Sequence, residues 1–159
     1  MKKLLYFLTI LILASCKSVS NSDESSMNGL NEIQTISIGI LTGDEEEGIE
    51  KSNIVLTNQE DWSILISKID KVNPISSKFK NTPVDFSEEI VLAVFDKIRN
   101  SGGYAIQIIN LNSNKKETTV KYQIKQPKPT DLVTSIMTQP YHIVKIKKRK
   151  GAFTFQEND

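Results

Sequence analysis

One cysteine (Cys16), one histidine (His142) and one tryptophan (Trp62) stand in 159 residues. A lone cysteine excludes an intrachain disulfide, so the fold rests on its own core. A lone histidine leaves little from which to build a zinc site, which usually recruits further His, Cys or carboxylate ligands. There is no phosphate-binding loop and no dinucleotide fingerprint. The G-x-S-x-G elbow that would set a nucleophilic serine to work with His142 is missing too. Neither sign of charge prevails, with 20 Lys and Arg against 19 Asp and Glu. That balance argues against nucleic acid as a main partner. No apolar run reaches the roughly 20 residues of a membrane-spanning helix. We therefore expect no catalytic residues, no metal site and no cofactor. Glu88 and Glu89 form a carboxylate pair of the kind that faces water. His142, in a strand beside Tyr141, fits a half-buried hydrogen-bonding role.

What the chain does have begins at its N-terminus. Lys2 and Lys3 precede an apolar run over residues 4–14, which ends in Leu13-Ala14-Ser15-Cys16. Residues 1–15 have the form of a secretory signal peptide, and the four-residue end resembles the lipobox of bacterial lipoproteins. Cys16 would then carry diacylglycerol and, after cleavage, a further acyl chain on its new N-terminus. Several acyl chains give the stable anchoring that one does not. Residues 16–31 are rich in Ser and Asn and poor in large apolar side chains. Such a segment buries too little to offset its ordering entropy and serves as a tether. The expected location is the cell envelope, with a lipid anchor. Lys17 stands where an aspartate would signal inner-membrane retention, which points to the outer membrane. Two charge runs stand out further on, "GDEEEG" at 43–48 and "KIKKRK" at 145–150. Each fits a solvated turn or strand end, and the basic run also suits contact with acidic lipid or an acidic partner.

Residues 32–159 read as one domain, expected to be monomeric. Ile36, Ile38 and Ile40 recur at the period of a strand, and "SNIVLT" is a second. Trp62, Leu65, Ile66 and Ile69 fall at i, i+3, i+4 and i+7 and predict one helix with an apolar stripe. Thr57 and Glu60 have capping-box spacing, and Pro74 lies just past the helix end. "IVLAVF" at 90–95 is a continuous apolar run, as in a central strand covered on both faces. Tyr104, Ile106 and Ile108 alternate after the "RNSGG" turn. Val120, Tyr122 and Ile124 alternate after a polar turn. "PKPTDLVTSIMTQP" is a long connection, and two more strands follow around Gly151. The predicted class is α+β, mostly antiparallel: a curved sheet or partly open barrel of about seven strands with one packed helix. The expected core is Trp62, Leu65, Ile69, Val91, Leu92, Val94, Ile106, Ile108, Val120, Tyr122 and Val144.

Three stretches in this order, "VDFSEEIVLAVF", "SGGYAIQI" and "TQPYHIVKI", resemble the C-terminal domain of the PrcB family over about residues 84–148. Ser101 replaces the family's usual threonine before Gly102, Gly103 and Tyr104, whereas Pro140, Tyr141 and His142 match. The intervening connection lacks the family's "P-G" and cysteine. The resemblance implies a non-catalytic accessory role, since the name-giving member resembles a lipoprotein that stabilises a subtilisin-like surface protease. Partner contacts are expected at Ser101, Gly102, Gly103, Tyr104, Pro140, Tyr141 and His142. These two segments should lie together, with Tyr104 and Tyr141 as exposed anchors. The glycines serve a tight hairpin turn in the simpler view. The partner would be another envelope protein, such as a surface protease complex. A small-ligand or glycan-binding envelope module is the alternative, and a concave aromatic pocket would favour it.

Overall fold

The computed structural model describes residues 32–42 and 48–158. The expected signal peptide, Cys16, the expected tether and most of the acidic run lie outside these residues. Among the described residues seven strands form two sheets, accompanied by one α-helix and one 3-10 helix. The strands are β1 (Gln34–Leu41), β2 (Ser52–Leu56), β3 (Glu89–Phe95), β4 (Ala105–Ser113), β5 (Glu117–Lys125), β6 (Gln139–Lys147) and β7 (Ala152–Glu157). The larger sheet has the order β1-β6-β3-β2, all antiparallel. The smaller has the order β4-β5-β7, with β5 and β7 parallel. The expected α+β, mostly antiparallel fold is present, and neither sheet closes into a barrel.

The continuous apolar run of β3 follows from its place in the middle of the larger sheet. Val91, Ala93 and Phe95 face one core, together with Tyr141 and Ile143 of β6 and the helix. Ile90, Leu92 and Val94 face a second core with Val144 and Ile146, closed by Ile106, Ile108, Leu111, Val120 and Tyr122 of the smaller sheet. The molecule is thus a helix layer, a sheet and a second sheet, with a core on each face of the central layer. Every residue of the expected core is buried.

Helix α1 (Gln59–Asp70) buries Trp62, Leu65 and Ile69. Its cap lies one residue beyond the predicted Thr57. Asn58 Oδ1 accepts from Asp61 N–H at 2.9 Å, and Asn58 Nδ2 donates to Asp61 Oδ2 at 2.7 Å. Both pairings have the right spacing, and asparagine is the better N-cap. Two further expectations are corrected. The "RNSGG" turn is no hairpin, since it carries the chain from β3 in one sheet to β4 in the other. The second is the single curved sheet, which is divided in two; β6 and β7 lie in different sheets, and Gly151, at φ +106°, makes the crossing.

Candidate functional site

The chain leaves β3 through Asp96, which is fully buried. Its Oδ2 accepts from Arg99 Nε at 2.7 Å and pairs with the Arg99 guanidinium at 2.6 Å, while Oδ1 accepts from Lys97 N–H at 2.8 Å. An arginine fixed in this way is a rigid strut. Arg99 also forms an antiparallel bridge with Thr138, its N–H donating to the Thr138 carbonyl at 2.8 Å and its carbonyl accepting in return at 2.9 Å. Its guanidinium lies 4.4 Å from the centre of the Tyr104 ring. Tyr104 is half-buried and holds its place through this cation–π contact.

Ser101 and Gly102 lie against Thr138 and Thr134, just before the entry to β6. Thr138 Oγ1 donates to the Ser101 carbonyl at 2.8 Å, and Gly102 N–H donates to the Thr134 carbonyl at 2.9 Å. The two glycines have different reasons to be glycine. A Cβ at Gly102 would stand 2.6 Å from Thr134 Oγ1, so this position is set by close approach. Gly103 has φ +87°, and a Cβ there would also meet Val133 Cγ1 at 2.8 Å and Pro127 Cβ at 2.9 Å. The turn is a bed on which the connection over residues 126–138 lies.

The expected surface role of Tyr141 is corrected. It is 2 % exposed, it stacks on Phe95 at 6.2 Å between ring centroids, and its hydroxyl bonds Ser37 Oγ at 2.8 Å. Burial pushes its pKa up. Pro140 and Gly102 are buried as well. His142 is 1 % exposed rather than half-buried, and it joins three strands. Its Nδ1 accepts from Ile108 N–H of β4 at 2.9 Å, which places the ring proton on Nε2, facing Thr35 Oγ1 of β1 at 3.0 Å. Burial lowers its pKa to about 4, so the ring is neutral at neutral pH. These side chains build the platform and do not face a partner. The physical reason is the position of β6, between β1 and β3 and with a core on each face.

The accessible face is elsewhere. Ser101 and Tyr104 are partly exposed and Gly103 is exposed. Beside them the connection displays Leu132 at 104 % exposure, together with Val133, Ile136 and Met137. Exposed apolar side chains scattered singly are ordinary, whereas four within six residues on one loop form a cluster. The sequence carried a signal for this. Residues 132, 133, 136 and 137 are large and apolar, stand between Pro129 and Pro140, and have the spacing of one helical face, yet form no helix. A nearby depression of about 370 Å³ is lined by Gly48, Ile49, Glu50, Lys51, Lys97, Ile98 and Gln139, with no aromatic ring. Among the described residues no cluster of three or more His, Cys, Asp or Glu could hold a metal ion, and no helix is long and apolar enough to cross a membrane.

Residues 90–147, from β3 through β6, match a family model described as PrcB C-terminal, an accessory family not known as catalytic. No curated protein and no solved structure matches the chain.

Proposed function

We propose, taking residues 90–147 as the PrcB C-terminal domain they match, that this chain is a non-catalytic envelope protein that binds and stabilises another protein. The observation that carries this is the row of exposed Leu132, Val133, Ile136 and Met137 beside Tyr104, on a turn braced by the Asp96–Arg99 pair. Apolar and aromatic side chains held on a rigid base bury well against a partner, because little ordering entropy is lost on docking. The partner is another envelope protein, with a surface protease complex as the case the family name favours. Cys16 anchors the chain to the membrane in this reading, through acylation. Lack of an aromatic lining in the neighbouring depression weighs against the glycan-binding alternative.

A photo-crosslinker at position 132 in the native cell tests the site. One protein should be captured repeatedly, and Ile136→Asp should abolish the capture. Equal capture from position 60, on the exposed side of α1, would show that the loop has no special role. Cys16 is tested separately by mass spectrometry of the mature N-terminus, where an unmodified cysteine would rule out the anchor.

A further inference from the structure

Basic side chains gather at one end of the sheets. At this end β1 begins, β6 runs out at Lys147, and two turns meet. Ala152 N–H donates to the Lys116 carbonyl at 3.0 Å, and the Arg149 guanidinium bonds both Ser113 and Glu32. Lys115 and Lys116 of the β4–β5 turn and Lys147, Lys148 and Lys150 of the β6–β7 turn are all exposed there. Arg149 is paired with Glu32, and Lys145 with Glu89 at 3.0 Å. The other carboxylates around these turns are Asp85, Glu88 and Glu117. Lys148 Nζ donates to the Phe86 carbonyl at 3.0 Å, an acceptor without charge. Five exposed ammonium groups therefore stand against three carboxylates.

We infer that this end lies against the anionic headgroups of a phospholipid bilayer. Its charge is of the right sign, and the chain outside the described residues joins the domain here, at Glu32. Residues 17–31 can span at most about 50 Å when fully extended and about 20 Å on average as a flexible coil. An anchor upstream of them holds this end of the domain close to the membrane. Tethering raises the effective concentration to about the millimolar range, where weak attraction between lysines and anionic lipid is enough to orient a domain. The orientation rests on reading the N-terminal segment as a membrane anchor, but the lipid contact does not, since the lysines act on any anionic surface. Held this way, the apolar connection faces away from the bilayer, about one strand length or 25 Å further out.

The test uses the full chain with Cys16→Ser, so that acylation plays no part. Vesicles of phosphatidylcholine alone are compared with vesicles that also contain phosphatidylglycerol, at low and high salt. Lys2→Gln, Lys3→Gln and Lys17→Gln are added throughout, so that the N-terminal segment brings only its apolar run over residues 4–14, whose attraction is common to both vesicle types. Phosphatidylglycerol should strengthen binding about tenfold or more at low salt, and high salt should abolish the gain. Lys115→Glu, Lys116→Glu, Lys147→Glu and Lys150→Glu together should remove it, with an unchanged melting temperature. Lys97→Glu, Lys125→Glu and Lys128→Glu, at the other end, should retain it. Equal binding to both vesicle types overturns the inference and leaves the lysines to an acidic protein or to solvent. Loss of the gain in both sets of variants overturns it as well, because attraction would then follow net charge and not this end. Partner capture at position 132 is a separate readout, so failure here is distinguishable from failure of the partner-binding reading.

Discussion

Tyr141 and Leu132 lie nine residues apart in the chain and are treated by the fold in opposite ways. Tyr141 is packed on both sides and hydrogen-bonded to Ser37, whereas Leu132 touches mainly water. The same contrast separates the whole of β6 from the connection that leads into it. From Gln139 to Ile146 every residue of β6 is buried, and from residue 128 to 137 every residue is exposed. The lesson is a division of labour. The strand segment that resembles the family motif fixes the platform, and the less regular segment before it presents the surface.

The harshest way to test this contrast is Tyr141→Ala. Truncating a fully buried aromatic should cost about 3–5 kcal/mol of stability, measured by urea unfolding. A loss below about 1 kcal/mol would show that Tyr141 is not the core residue described here. The second test is pH. The folded-state pKa of His142, about 4, lies below the ordinary value of 6.5. The unfolded chain therefore binds the proton more readily, and stability falls as pH drops from 6.5 towards 4. The expected loss between pH 7 and pH 4 is about 3 kcal/mol. Carboxylates titrate in the same range, so the measurement is the difference from His142→Asn. Its amide oxygen is a substitute acceptor for Ile108 N–H, and it should lack this component of the slope. Third, Leu132→Asp should cost about 2 kcal/mol in partner affinity yet change stability by no more than about 0.5 kcal/mol. Unfolding of this variant would erase the distinction between platform and surface. The smallest effect belongs to Tyr104→Leu, which removes the cation–π contact with Arg99 and should lower stability by about 0.5–1 kcal/mol.

Much of this architecture was legible in the residues. Periodicity locates α1 and the strands, because side-chain spacing follows directly from backbone geometry. The two-sided burial of β3 shows as an unbroken apolar run. Alternation in β5 marks Val120 and Tyr122 as inward. Pairing partners are less visible. Phe153 and Phe155 of β7 alternate in the same way whether the neighbour is parallel or antiparallel, so the β5–β7 ladder could not be read locally. Nor does a Pro-Tyr-His sequence reveal that both faces of its strand are covered, since tyrosine and histidine are at home at the edge of water as well as in a core. His142 satisfies its ring through Ile108 and Thr35, and Thr35 is 107 residues away in the chain. The site was only half visible for the same reason. Proximity of the SGGY segment to the entry of β6 follows from both flanking one end of the strands, whereas exposure depends on layers built from distant sequence.

The strand order has a consequence in time. β1 hydrogen-bonds only to β6 in its sheet, and the two meet only after most of the chain between them exists. β6 is also the only partner β3 has besides β2. A chain that emerges N-terminus first can close β2 on β3 and β4 on β5, but its first strand must wait for its sixth, and its smaller sheet is complete only with its seventh. Contacts of such long sequence separation slow folding. Until β6 is made, the edge of β3 and the apolar face of β1 stay open to wrong partners. Folding of the described residues thus waits on a late strand, however early its partners are formed.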